Sequence, residues 1–366
     1  MSLSPQTKRT ISRIVPFGLI WLLLGWTFLF VEYAAIGQGN YGPAAAIRMS
    51  PDIFVFASLV VLGVGLFIGA VEVVWLKKVF SNESFSTKII YKLLVYSLFL
   101  FTVVLVAFPI AVSIQLRTHV FDPLVWERFY GYLTSLGNVS TSAQMAVSLF
   151  ISLFYAEISE NIGQKILFNF FTGKYHTPVE EKRVFMFLDM KSSTTIAEKL
   201  GHIKYFELLK KYYDDLSDAI LRNYGEVYQY IGDEIVVSWP FEKGIENNHC
   251  VQCFFAMKSD LDKRSGWYLS KFGIAPTFKA GLHCGKVTTG EIGALKKEII
   301  FTGDVLNATS RIQGLCNTYQ VDIIISKDLV NELRPDEKYS LQPIGTQELR
   351  GRNEAMEIFT VSMTGK

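Results

Sequence analysis

Hydrophobic residues make up 50% of this chain and are concentrated before residue 160, where they form long runs. Residues 14–31, 53–71 and 93–114 contain no Asp, Glu, Lys or Arg. Each run is close to the ~20 residues that an α-helix needs to cross the hydrocarbon core of a bilayer. We therefore predict three membrane-spanning helices from these runs alone.

A fourth apolar run, residues 140–156, is shorter and contains Gln144, so it also fits a buried or interfacial helix. Basic residues cluster before the first run, between the second and third, and after the fourth: Lys8, Arg9, Arg13, Lys77, Lys78, Lys88, Lys165, Lys174, Lys182 and Arg183. Positive charge marks the cytoplasmic side of a membrane protein, and only an even number of crossings places all three clusters there. We predict a four-helix transmembrane domain over residues 1–156. It is multi-pass in the cell (inner) membrane, with the N-terminus and the second half of the chain in the cytoplasm.

Residues 157–181 are predicted to connect the membrane domain to the second half of the chain. Apolar positions recur there every four residues: Ile158, Ile162, Ile166 and Phe170. This spacing, with polar residues between, is typical of an amphipathic helix that continues from the last span. Its apolar stripe fits two arrangements, contact with its own membrane domain or surface, or pairing with a second copy. Residues 173–181, with Pro178, are predicted to form a hinge.

Residues 182–366 alternate short apolar runs, rich in β-branched and aromatic residues, with longer segments of helical spacing. In order, we predict strand 183–190, helix 194–222, a hairpin around residue 233, helix 245–263, strands 276–289 and 298–302, a helix from residue 304 and strand 321–326. A small set of strands completes the C-terminus. This β-α-β-β-α-β succession is typical of an α+β domain.

Two aspartates stand where this arrangement presents a carboxylate at the sheet edge. Asp189 lies at the end of the first strand, and Asp233 lies at the tip of the hairpin. A hairpin at that place brings Asp233 beside the strand end that carries Asp189. Because hard divalent cations prefer oxygen ligands, two such carboxylates can share metal ions.

Four motifs, in this order, resemble the class III nucleotidyl cyclases. They are Phe187-Leu-Asp-Met-Lys-Ser-Ser-Thr-Thr, Ile231-Gly-Asp, Gly281-Leu-His-Cys-Gly-Lys-Val-Thr-Thr-Gly-Glu-Ile-Gly and Gly303-Asp-Val-Leu-Asn-Ala-Thr-Ser-Arg. The resemblance covers about residues 180–362, and four ordered motifs are far more specific than any one of them. It implies that the α+β domain, residues 182–366, has the ferredoxin-like core of that family.

The resemblance also implies a metal site and a phosphate site. Asp189 and Asp233 match the family's metal aspartates, which hold two Mg²⁺ or Mn²⁺ ions, and the carbonyl of Met190 is implied as a minor ligand. The turn that follows resembles a segment whose amides approach the substrate phosphates before a helix begins. Its residues are Ser192, Ser193 and Thr194.

Further downstream, Asn307 and Arg311 match the pair that orients the ribose and stabilises charge on the transferring α-phosphate. They are four residues apart, so they share one face of a helix. Arg352, with Arg350 as the alternative, resembles the basic turn whose cation holds the β- and γ-phosphates. A solvated hairpin turn is the competing interpretation of Arg350.

The positions that read the base depart from the family pattern. Adenylyl members usually carry Lys and Asp or Thr there, and guanylyl members carry Glu and Cys-like residues, whereas this chain has Gln229 and Ile300. Glutamine offers both a donor and an acceptor, so it fits adenine or guanine, and Ile300 contributes only shape. The absence of Glu favours ATP, so we predict an adenylate cyclase and keep a guanylate cyclase as the alternative.

In this family the metal aspartates come from one catalytic domain and the Asn/Arg pair from its partner, so a chain with one copy of each implies a homodimer. The expected partners are ATP, a second copy, the lipid bilayer and an unidentified membrane or small-molecule regulator, with no nucleic acid. Two other hypotheses remain. A diguanylate cyclase is suggested only by a faint likeness around Asp233, and a non-catalytic receptor or nucleotide-binding regulator would have lost at least one motif residue.

Overall fold

The computed structural model describes residues 4–36, 50–76, 85–334, 336–348 and 355–364. The chain divides into two compact units, one formed by residues 7–168 and the other mainly by residues 169–366. The first is entirely helical in its described part, and the second combines helices with one mixed sheet.

Up to residue 162, the described part of the first unit contains four long helices and one short one. They are α1 (Pro5–Ile36), α2 (Pro51–Val71, prolonged by a π-helical turn at Glu72–Leu76), α3 (Phe85–Leu116), α4 (Pro123–Leu133) and α5 (Leu136–Ile162). Among the described residues, α1, α2, α3 and α5 are long and apolar enough to cross a membrane. The predicted four-helix transmembrane domain is confirmed. The short α4 was not predicted; Asp122 caps it, and Pro123 occupies its first turn.

Helix α5 is less apolar than the other three long helices, and polar side chains join it to α1. Trp21 Nε1 donates a hydrogen bond of 3.0 Å to Ser152 Oγ, and Ser140 Oγ donates one of 2.9 Å to Glu32. Polar side chains between membrane helices are stabilised when they find such partners. This pairing explains how a run containing Gln144 still forms a helix of membrane-spanning length.

A buried ion pair joins α2 to α3. Lys92 Nζ lies 2.7 Å from Glu72 Oε2, and Tyr96 donates a hydrogen bond of 3.1 Å to Glu72 Oε1. All three side chains are buried. Since an unpaired charge in apolar surroundings is strongly unfavourable, these contacts account for the burial of Glu72 and Lys92.

The predicted connector helix is not continuous with the last span. Gly163 adopts a φ of +95°, which ends α5, and a separate helix α6 (Gln164–Thr172) follows. A glycine reaches this conformation without the strain that a β-carbon imposes. Among the apolar positions of the predicted stripe, Ile162, Ile166 and Phe170 are each about half exposed.

The second unit contains eight strands in its described part, all in one sheet. The strands are β1 (Val179–Met190), β2 (Glu226–Ile231), β3 (Glu234–Pro240), β4 (Phe278–Ile292), β5 (Glu298–Thr302), β6 (Ile323–Ser326), β7 (Tyr339–Gln347) and β8 (Met356–Met363). The sheet order is β2-β3-β1-β4-β6-β8-β7, with β5 paired to β4. Only β4 and β6 run parallel among the pairs formed.

Helices cover both faces of this sheet. They are α7 (Ser193–Leu200), α8 (His202–Arg222), α9 (Phe241–Ile245), α10 (His249–Phe272), α11 (Asp304–Gly314), α12 (Cys316–Tyr319) and α13 (Lys327–Val330). Along β1, Val184, Met186 and Leu188 pack with α8 and α10, whereas Phe185 and Phe187 pack on the other face near the start of α11. This alternation confirms the predicted α+β fold.

Two glycines fix details that position the site. A β-carbon at Gly281 would lie 2.4 Å from the backbone nitrogen of Gln313, so this glycine lets α11 approach β4 closely. Gly201, at a φ of +74°, divides the predicted helix 194–222 into α7 and α8. Helical spacing continues across this break, which explains why the pattern predicted one helix.

Candidate active site

Asp189 and Asp233 meet at one edge of the sheet, as the sequence predicted. Asp189 is the penultimate residue of β1, and Asp233 lies in the two-residue turn between β2 and β3. Gly232, the other residue of that turn, has a φ of +63°, which suits glycine. Because β3 pairs with β1, with Ile235 opposite Leu188, the turn lies beside the end of β1.

The two carboxyl groups form an electrostatically unfavourable pair in the absence of a cation. Burial and the adjacent Asp189 carboxyl raise the pKa of Asp233, and a hydrogen bond with Ser193 offsets only part of that rise. Asp233 Oδ2 is buried and receives no hydrogen bond within the described part of the chain. A buried carboxylate oxygen that lacks a hydrogen-bond donor and lies next to a second carboxylate can be stabilised by binding a divalent cation.

The residues therefore fit the predicted metal, with two carboxylates as its protein ligands. No group of three or more His, Cys, Asp or Glu side chains among the described residues is arranged to hold a metal ion. Magnesium is commonly bound by one or two carboxylates, with substrate phosphates and water in its remaining coordination positions. Met190, the predicted minor ligand, follows Asp189 directly and has a buried side chain.

The raised pKa of Asp233 leads to a stability prediction. An acid whose pKa is higher in the folded state destabilises the fold increasingly as the pH rises from its ordinary pKa toward the raised one. We therefore expect Asp233→Asn to raise the melting temperature of the full chain in EDTA at neutral pH, and the gain to shrink as the solution is acidified. Differential scanning fluorimetry measures both effects. A variant that is less stable than the unsubstituted protein at neutral pH contradicts the prediction.

Asp189 has two further partners that the sequence did not identify. Lys279 Nζ lies 3.4 Å from Asp189 Oδ2, and Gln313 Nε2 donates a hydrogen bond of 3.3 Å to the same oxygen. Lys279 is directly opposite Asp189 in the β1–β4 register and is only 9% exposed. In the sequence, the only sign of the role of Lys279 is a charged residue in the apolar start of β4. The close approach of α11 at Gly281 brings Gln313 within reach of Asp189.

The turn after β1 lies between Asp189, at the end of that strand, and a cavity. Lys191 N donates a hydrogen bond of 2.9 Å to Thr277 O, and Ser192 adopts a left-handed φ of +57° before α7 begins at Ser193. Thr194 is exposed in the first turn of that helix. The cavity has a volume of about 480 Å³, and its lining residues are Lys191, Ser192, Lys279, Cys316, Asn317, Gln320 and Val321. Its two lysines are each paired with a carboxylate, Lys191 with Asp322 and Lys279 with Asp189.

Asp322 lies beside this turn and holds two lysines. Its carboxylate accepts hydrogen bonds from Lys191 and from Lys258 of α10. Burial alone would raise the pKa of Asp322, but the two lysines outweigh burial and lower it. The carboxylate is therefore ionised throughout the neutral range.

Two other side chains at the aspartate turn were not predicted. Glu234 is a third carboxyl group at this edge, and burial together with Asp189 and Asp233 raises its pKa to about 7. Tyr213 of α8 donates a hydrogen bond to Gly232 O, which ties the turn to the helix layer. Neither side chain belongs to a motif, so only the fold identifies them.

Asn307 and Arg311 lie on one side of α11, as their spacing predicted. Asn307 is exposed and Arg311 is half-buried, whereas Ala308 and Ile312 are buried against the sheet. In the part of the chain that the structure describes, no hydrogen bond or ion pair joins Asn307 or Arg311 to the two aspartates. On the same helix, Gln313 is the residue that donates a hydrogen bond to Asp189.

The predicted base-reading residues lie on different strand pairs. Gln229 is exposed on β2, next to a bulge after Val227. Ile300 is half-buried on β5, opposite Gly290 of β4. Arg350 and Arg352, the predicted phosphate-binding residues, lie outside the described residues.

Comparisons with known proteins identify relatives of this chain. The adenylate cyclase 2 of Rhizobium meliloti (strain 1021) is 31% identical over 210 residues, which cover 57% of this chain and 58% of that protein. The adenylate cyclase 1 of the same organism is 27% identical over 182 residues, covering 48% of this chain and 27% of that protein. The chain thus spans less than two thirds of either relative.

The fold also has a counterpart among solved structures. A bacterial light-regulated adenylyl cyclase superposes with a TM-score of 0.52 at 18% identity, covering 62% of this chain and 65% of that chain. The family of the adenylate and guanylate cyclase catalytic domain matches residues 177–363, more than half of the 366 residues. This match includes β1, the aspartate turn and α11. The chain therefore belongs to the adenylate and guanylate cyclase catalytic-domain family.

Proposed function

We propose that this protein is a membrane-bound adenylate cyclase that converts ATP to 3′,5′-cyclic AMP and pyrophosphate. The observation that carries the proposal is the meeting of Asp189 and Asp233, where a buried carboxylate oxygen has no hydrogen-bond donor among the described residues. Both relatives reported above are named adenylate cyclases. ATP is therefore the favoured substrate.

The reaction forms a bond between the ribose 3′-oxygen and the α-phosphorus, and breaks the bond from that phosphorus to the β-phosphate oxygen. Pyrophosphate departs with the electron pair of the broken bond, and the 3′-hydroxyl proton passes to water. Asp189 and Asp233 would hold two Mg²⁺ or Mn²⁺ ions, which lower the pKa of the attacking hydroxyl and stabilise the leaving charge. The carbonyl of Met190 would be a minor ligand, and the substrate phosphates would complete the set.

The rest of the site would orient the nucleotide. The amides of Ser192, Ser193 and Thr194 face the phosphates at the start of a helix, where the helix dipole favours negative charge. Lys279, held at 3.4 Å from Asp189, supplies a cation beside the same phosphates. Both groups act by position and charge and need no proton transfer of their own.

The remaining groups would come from a second chain. Asn307 would orient the ribose and Arg311 would stabilise charge on the α-phosphate, with Arg352 or Arg350 on the outer phosphates. Gln229 and Ile300 would contact the adenine. Because the chain carries one copy of each motif, a homodimer with two equivalent sites accounts for the arrangement.

The membrane unit would anchor and regulate the catalytic pair. We assign residues 1–156 to the transmembrane domain, 157–181 to the connector and 182–366 to the catalytic domain. The placement of the basic residues supports an N-terminus and a catalytic domain in the cytoplasm, with the chain in the cell (inner) membrane. A membrane or small-molecule regulator would act through this domain.

A guanylate cyclase is the second candidate, because the amide of Gln229 can pair with guanine as well as adenine. The purified full-length protein, supplied with ATP or GTP and with Mg²⁺ or Mn²⁺, is expected to form cyclic AMP. Chromatography resolves the products, and Asp189→Ala serves as the blank. Cyclic GMP alone would reassign the base pocket and keep the mechanism. A folded dimer that makes neither product would favour a non-catalytic regulator.

A further inference from the structure

Asp322, which is not among the proposed catalytic residues, is hydrogen-bonded to the turn that follows β1. Asp322 immediately precedes β6, and its main chain is fixed by a hydrogen bond of 2.8 Å from Ala280 N to Asp322 O. One oxygen of its side chain accepts from Lys191 Nζ, and the other accepts from Lys258 Nζ at 2.5 Å. The carboxylate thus bridges the turn after β1 to α10.

This bridge cannot be explained by its effect on overall stability. The side chains of Lys191, Asp322 and Lys258 are between 34% and 46% exposed. Ion pairs with this degree of exposure contribute little to the free energy of unfolding. A bridge that joins three separate elements can still determine where one of them lies.

The turn it reaches is strained and faces the cavity. Ser192 has a left-handed φ of +57°, an uncommon conformation for a residue with a β-carbon. Such a conformation persists when surrounding contacts fix it. Here the main-chain nitrogen of Lys191 donates a hydrogen bond to Thr277 O, and its side-chain Nζ donates one to Asp322.

We infer that Asp322 is a positioning residue, which holds Lys191 and thereby fixes the turn whose amides face the substrate phosphates. This inference rests on the proposed cyclase function. Small displacements of groups that orient a substrate lower the rate of the chemical step strongly. Asp322 therefore acts through Lys191 and does not itself touch the nucleotide.

The test compares Asp322→Asn with Glu332→Gln in the full-length protein. Glu332 forms an ion pair with Lys182 at 2.8 Å, and both side chains are 41% exposed, which makes it a matched control. We expect Asp322→Asn to lower kcat roughly tenfold and to accelerate hydrogen exchange of the amides in residues 190–196. Its melting temperature should equal that of the control, which should keep the unsubstituted kcat and exchange rates.

A second comparison separates positioning from a general loss of charge. Lys191→Arg, which retains a cation able to reach Asp322, should keep most of the activity. Lys191→Met combined with Asp322→Asn should cost no more than either change alone, because the two residues act as one unit. Unchanged kcat and exchange in Asp322→Asn would overturn the inference. The inference would also fail if the fold-reduction of kcat in the double variant equalled the product of the two single reductions.

The two readouts distinguish this inference from the proposed function. If the unsubstituted protein forms no cyclic product, the proposed function fails. Faster exchange in residues 190–196 of Asp322→Asn, but not of the control, would still support the positioning of the turn. Unchanged exchange in that variant would reject the positioning role whatever the activity.

Discussion

Replacing Asp189 by asparagine is expected to lower the rate of cyclic AMP formation by at least about a thousandfold. Asparagine keeps the shape of the side chain but removes the charge and one oxygen acceptor. Divalent ions that stabilise the entering and leaving oxygens contribute several kcal/mol, and each ~1.4 kcal/mol is a factor of ten in rate. Steady-state assays with saturating ATP and Mg²⁺ or Mn²⁺ measure the loss.

Metal binding gives a second readout for the same variant. In the unsubstituted protein, Mn²⁺ with a non-hydrolysable ATP analogue should raise the melting temperature, because a ligand that binds only the folded state stabilises it. That rise should disappear in Asp189→Asn. Asp218→Asn, an exposed position on α8, is the control and should behave like the unsubstituted protein. An Asp189→Asn chain that keeps full activity and its metal-dependent rise would remove Asp189 from the metal site.

The convergence of the two aspartates was predictable because it depends on local signals. An apolar strand ending at Asp189 and a turn at Gly232-Asp233 are both visible in the sequence, and a two-residue hairpin leaves little freedom in where its tip lies. The membrane helices were predictable for a similar reason, since their length and apolar composition are set by the bilayer.

The other contacts of the site depend on packing between distant segments. Lys279 and Gln313 reach Asp189 only because β4 lies beside β1 and because Gly281 admits α11. Glu234 acquires its raised pKa from burial and two neighbouring carboxyls, and the sequence specifies neither. Asp322 meets Lys191 and Lys258 from three separate elements, so no spacing rule finds the bridge.

The helix breaks were missed because the apolar spacing gives no sign of them. Hydrophobic spacing runs through Gly163 and Gly201 without interruption, yet each glycine has a positive φ that ends a helix. A glycine within a periodic pattern can be tolerated or can terminate the helix, and the pattern does not distinguish these outcomes. The break at Gly163 matters most, because it separates the last span from the segment leading to the catalytic domain.

Restoration of activity by mixing two inactive chains is the second large effect we expect. Asp189→Asn removes a metal ligand, and Arg311→Ala removes the guanidinium proposed to act from the partner chain. In a heterodimer of these variants both changes fall in one site, which leaves the other site intact. Half of randomly formed dimers are heterodimers with one intact site of two, so co-expression should recover about a quarter of the unsubstituted activity.

A control with the same number of substitutions tests the geometry. When Asp189→Asn is co-expressed with Asp233→Asn, each site lacks one carboxylate whichever chains pair, so no activity should return. Two different affinity tags, purified in sequence, isolate the heterodimers and should double the recovered activity per dimer. If Asp189→Asn with Arg311→Ala is no more active than this control, Asn307 and Arg311 do not act across a dimer interface.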